Sequence, residues 1–135
     1  MPAEPFSGTW KLNVAESTFA FPAPRSVLLR IEVNGDRVTL VEDTVSSNGE
    51  SEHAEIEARF DDEVHPIVGS GLADGFVIHR INSREWRTQG FKAGVNVFSA
   101  ALILSEDEQG FREFGETTLA DGRRTAVSLI YERYA

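Results

Sequence analysis

The 135-residue chain contains no cysteine, so it has no disulfide framework, no thiol nucleophile and no thiolate metal site. Positive charge is also scarce: 22 acidic side chains face 13 basic ones, a formal net charge of −9. Nucleic acids and anionic membrane surfaces both require basic patches, so neither is expected as a partner. Lysine occurs only at Lys11 and Lys92, and neither lies in an apolar run that would suit it to Schiff-base chemistry. No apolar stretch approaches the ~18 residues of a membrane-spanning helix. The opening Met1-Pro2-Ala3-Glu4-Pro5 lacks the basic and apolar regions of a signal peptide. Glycine-rich phosphate loops, serine elbows and catalytic-triad spacings are missing too. At roughly 150 residues per domain, these absences describe one cytoplasmic domain over residues 1–135, with no cofactor and no metal.

What the sequence does have is a series of short strand-like runs separated by turn residues. Ser26–Val33 alternates, with Val27, Leu29, Ile31 and Val33 on one face. Asn34-Gly35-Asp36 then forms a tight turn, because Asn-Gly accepts the positive φ that a hairpin needs. Arg37–Ser46 returns, Ser47-Asn48-Gly49-Glu50 turns again, and His53–Phe60 places Ala54, Ile56, Ala58 and Phe60 on one face. This period of two marks half-buried antiparallel strands. Further runs are Gly8–Asn13, Val64–Val68, Phe76–Ile81, Glu85–Phe91, Val95–Leu104, Phe111–Leu119 and Thr125–Tyr134. No segment has a convincing helical period, and Pro22 and Pro24 block any helical turn that starts near Ala15. Even spacing of about ten residues argues for an all-β sandwich or an up-and-down barrel.

The two ends of the chain favour the barrel. Phe6-Ser7-Gly8-Thr9-Trp10-Lys11-Leu12 opens it, and Ile130-Tyr131-Glu132-Arg133 closes it. This pattern resembles the calycin superfamily of lipocalins and fatty-acid-binding proteins, in which a Gly-x-Trp opens the first strand and the Trp plugs one end. The whole chain is also similar to small bacterial lipocalin-like proteins of unassigned function, through Gly8–Asn13, Asn34–Asp36, Phe60–Ile67 and Tyr131–Arg133. The resemblance implies a single antiparallel calycin-type barrel of about 8–10 strands, with Trp10 as the plug and Arg133 packed on its ring. Two departures limit the carry-over. Only about a dozen residues separate the first two strands, too few for the helical lid of fatty-acid-binding proteins. Leu129 stands where that family places a carboxylate-binding Arg, so fatty-acid carboxylate binding is not implied.

Several side chains are candidates for chemistry. His53-x-Glu55-x-Glu57 has the spacing of three ligands on one strand face, but the opposite face is the apolar one, so the trio is expected to face water. His65, beside Pro66, reads as turn or edge structure. His79 and Arg80 are neighbours in an otherwise apolar run, so one points inward and the other outward. An inward His79 would need a partner such as Glu85, Arg87, Glu113, Glu116 or Tyr131, and would be a natural general base. Trp86 and Arg87 likewise take opposite faces. Val95–Leu104 is apolar on both faces, which points to a homodimer through this strand.

Three functions follow from these observations. The leading one is a binding protein for a small hydrophobic molecule, with a pocket lined by Leu29, Ile31, Ile56, Phe76, Ile78, Phe98, Phe114 and Tyr131. The second is a barrel lyase, isomerase or cyclase, with His79 or Tyr131 as the acid–base group and Arg80 or Arg87 holding an oxyanion. The third is a structural or interaction module. The arginines Arg30, Arg80, Arg87 and Arg112 fall within predicted strands, and any that points inward would favour a negatively polarised ligand. The side chains at the bottom of the cavity discriminate among these readings.

Overall fold

Alternating apolar side chains force ten strands to turn the same face inward, and the sheet they form closes on itself. The computed structural model describes residues 4–134. Its strands are β1 (Gly8–Leu12), β2 (Ser26–Asn34), β3 (Arg37–Val45), β4 (Ser51–Arg59), β5 (His65–Val68), β6 (Gly75–Asn82), β7 (Glu85–Lys92), β8 (Val95–Leu104), β9 (Gly110–Thr118) and β10 (Arg124–Arg133). Each pairs antiparallel with its sequence neighbour, and β1 also pairs with β10, giving a closed up-and-down barrel. The described residues contain no helix, and so none long and apolar enough to cross a membrane. Residues 13–25 form turns instead, with Thr18 bridged to Ser128 of β10. The Thr18 amide donates to the Ser128 carbonyl at 2.7 Å, which commits the backbone to the sheet rather than to itself.

The register explains why the sequence signatures lie at opposite ends of the chain. Trp10 pairs with Arg133, and Leu12 pairs with Tyr131. Trp10 is fully buried, and its Nε1 donates to the Phe6 carbonyl at 2.9 Å. Around it Phe6 stacks on Trp86 with ring centroids 4.1 Å apart, and Phe111 stands edge-on to Trp10 at 4.9 Å. Arg133 lies over the Trp10 ring at 4.2 Å and donates to the carbonyls of Pro5, Ser7 and Glu108. One guanidinium thus ties the N-terminal segment, the β8–β9 turn and the last strand together. Gly8 makes this possible: its φ is +139°, and a Cβ there would meet Arg133 Nη1 at 2.6 Å. Each large ring buried here contributes about 1.5–3 kcal/mol. This end of the barrel is closed.

The wall is weakest at β5, which forms only two residue pairs with β4 and two with β6. Pro66 has no amide to donate, which fits so short a strand. The segment leading into β5 is fastened by histidines. His65 Nε2 lies 2.9 Å from Asp61, and His79 Nδ1 lies 2.6 Å from Asp62.

Strand β8 places Phe98, Ala100, Leu102 and Leu104 inside. On its outer face Ala101 is buried between Arg87 and Phe114 of the flanking strands, which leaves Val95 and Ile103 exposed near the strand's ends. Gly90 on β7 gives Phe98 room to enter the barrel, since a Cβ at Gly90 would overlap the Phe98 ring.

Candidate functional site

Above the aromatic plug the barrel is hollow. A cavity of about 600 Å³ opens at the end opposite Trp10. Its walls are mainly Leu29, Leu40, Ile56, Phe76, Ile78, Phe98, Leu102 and Leu129, and its mouth is bordered by Phe19, Phe21, Pro22 and Pro24 from residues 13–25 and by Leu72 from residues 69–74. The short β1–β2 connection therefore covers the mouth in part with a proline-bearing loop rather than with helices.

The same inward faces that carry the apolar wall also carry acids. On β3 the inward series runs Val38, Leu40, Glu42, Thr44; on β9 it runs Phe111, Glu113, Gly115, Thr117; on β4 Glu52 precedes Ala54 at the mouth. Glu42 and Glu113 are half-buried, and the surface they keep borders the cavity rather than the outside of the barrel. Loss of solvation holds the Glu113 carboxyl up at about 7, helped by the negative charge of Glu42. Glu42 is raised as well, chiefly by burial and then by Glu52, against the lowering effect of a 3.5 Å hydrogen bond from the Thr44 hydroxyl. Tyr131, fully enclosed beside them, is pushed up by burial and by both carboxylates, so it stays a neutral phenol. Two more inward groups lack partners among the described residues: Trp86 Nε1 and Thr88 Oγ1 are buried and make no hydrogen bond, although both residues line the cavity.

The predicted site residues separate into two sets. Leu29, Ile56, Phe76, Ile78, Phe98 and Tyr131 line the cavity. Ile31 is buried but lies nearer the plug, outside the lining, and Phe114 faces outward with Arg112 over its ring at 4.6 Å. His79 points outward, exposed and bonded to Asp62, and so reaches no cavity atom. Arg87 is outward and paired with Glu85 at 2.6 Å. Arg80 is inward, but it sits within the plug, over Phe60 at 4.2 Å and 3.5 Å from Glu4. Arg30 and Arg112 face solvent. The expectation that an inward arginine would polarise the ligand is thereby reversed: the lining holds Glu42, Glu52, Glu113 and Glu116, and no Lys, Arg or His. His53, Glu55 and Glu57 are exposed, with His53 Nδ1 2.5 Å from Asp43.

Glu42 and Thr88 were not anticipated, and Glu113 was anticipated only as a partner for His79. The signal that finds them is the alternation itself, carried two residues past the last apolar one: Val38 and Leu40 put Glu42 inside, and Phe111 puts Glu113 inside.

Fold and cavity together define an antiparallel ten-stranded β-barrel closed at one end, with an acid-bearing apolar chamber open at the other. No family model, curated protein or solved structure matches the chain.

Proposed function

We propose that the protein is a calycin-type binding barrel that holds a small hydrophobic molecule in its chamber. The observation that carries this reading is the cavity itself: about 600 Å³, largely apolar and open at one end. Ligand sites typically enclose about 300–1,000 Å³ with a few placed polar groups. The calycin assignment is supported by the Gly8-Thr9-Trp10 opening, whose Trp10 begins a register that pairs Trp10-Lys11-Leu12 with the closing Tyr131-Glu132-Arg133. Native mass spectrometry of protein purified from its own host is expected to reveal a retained small molecule. In vitro, the neutral fluorophore N-phenyl-1-naphthylamine should bind, and Ala100→Phe, which fills the chamber, should weaken binding at least about tenfold. An unfilled barrel that ignores the probe would favour the structural or interaction reading.

A second reading is favoured by Glu113. A carboxyl held near 7 inside a cavity can both accept and donate a proton at neutral pH. A barrel lyase, isomerase or cyclase would therefore use Glu113 with Tyr131, not His79. Glu113→Gln would abolish turnover of the retained compound while leaving its binding measurable. In either reading, a homodimer through Val95–Leu104 would use Val95 and Ile103 as its apolar contacts. A monomeric mass by light scattering at micromolar concentration counts against it.

A further inference from the structure

The charged groups of the chamber are of one sign. The lining carries four glutamates and no cationic side chain. Glu52 stands at the mouth, cross-strand from Thr44, and Glu42 lies one inward step deeper, opposite Ala54. Glu113 faces the same space from β9, in one cross-strand row with Leu102 and Trp86. Thr88, 4% exposed, lies in the next row towards the mouth, and its Oγ1 has no partner. Burying carboxylates without a countercharge is unfavourable, and a buried hydroxyl without a hydrogen bond adds to the cost. Glu116, exposed, has Arg124 at 3.9 Å, but the barrel supplies no cation to Glu42 or Glu113 and no donor or acceptor to Thr88. A ligand that brought both would satisfy them.

Resting on the binding reading above, we propose that the ligand is an amphiphilic amine, whose ammonium group pairs with Glu42 and Glu113 while its apolar body occupies the chamber. An ammonium has three N–H donors and no acceptor. It can donate to both carboxylates and to the unpartnered Thr88 hydroxyl oxygen, whereas the Trp86 indole N–H suits an oxygen elsewhere on the ligand. A carboxylic acid of the same size would add a third acidic group beside two existing ones. An alcohol would gain no charge pairing. Discrimination thus comes as much from what the chamber repels as from what it attracts. Glu52 at the mouth favours the approach of the same charge.

Isothermal titration calorimetry at pH 7.5 tests this with two matched series: decylamine, decanol and decanoate, and 1-naphthylethylamine, 1-naphthylethanol and 1-naphthylacetate. The amine of at least one series is expected to bind tenfold or more tightly than its alcohol, and the acid most weakly. Glu42→Gln/Glu113→Gln, checked for native fold by circular dichroism, should bring amine and alcohol within about threefold of each other while leaving alcohol binding intact. If alcohol and amine bind equally to the wild type, or the double variant keeps the preference, the amine proposal falls and the apolar binding barrel stands. If no member of either series binds the wild type, both fall.

Discussion

Glu113 titrates far above its value in water, and this has a consequence for stability. A glutamate titrates near 4.5 in the unfolded chain and near 7 in the barrel. Between those values the folded state holds a proton that the unfolded state has released. The stabilisation is therefore fully present below about pH 4.5 and is lost as pH rises through 7. Urea denaturation should show Glu113→Gln gaining on the wild type, by on the order of 2 kcal/mol, between pH 5 and pH 8. A constant difference across that range would mean that the side chain titrates as it does in water. Trp10 belongs to the same scale. Its ring fills the closed end, and Trp10→Ala should cost about 3–5 kcal/mol. His79→Ala, by contrast, removes only an exposed pair with Asp62, and both stability (within about 0.5 kcal/mol) and ligand retention should be unchanged. Loss of the ligand in that variant would place His79 in the site after all.

At the scale of elements, the barrel depends on a few places where one strand yields to another. Gly90 on β7 is such a place, because the Phe98 ring of β8 occupies the volume that its side chain would need. Gly90→Val should destabilise the fold by about 1–3 kcal/mol, and adding Phe98→Ala should recover part of that loss. If the double variant is no better than the single one, the strain lies in the backbone and not in the ring. Strand β5 is the other such place: four residues, one of them proline, complete a wall that otherwise consists of strands of five to ten residues. The turns and the ten strands were legible in the sequence because alternation and Asn-Gly punctuation are local properties. The mouth was only half legible. Pro22 and Pro24 rule out a helical lid, but they do not say that Phe19 and Phe21 would border the opening.

For the whole molecule, the distribution of charge matters more than its sum. The net charge of −9 sums exterior and interior; outside, Glu55, Glu57, Asp61 and Glu63 are exposed and keep the surface repulsive to its own kind. The interior is acidic for a separate reason, since Glu42 and Glu113 occupy inward positions in otherwise apolar series. By itself the sequence determined the all-β class, the strand order along the chain and the pairing of hairpin neighbours. Each of these follows from a period of two and from turn chemistry within a dozen residues. It also identified most of the apolar wall, from Leu29 to Phe98, because side chains on one face of a strand share one environment. Tertiary structure decided which of two adjacent polar residues faced inward at the level of the cavity rather than the plug. Arg80 and Trp86 are cross-strand partners and both point in, yet only Trp86 borders the chamber, because the Arg80 guanidinium turns into the plug over Phe60 and towards Glu4. It also brought Glu42, Glu113, Tyr131 and Thr88, from four different strands, around one space. No local pattern could do this, since closure of the sheet sets those distances.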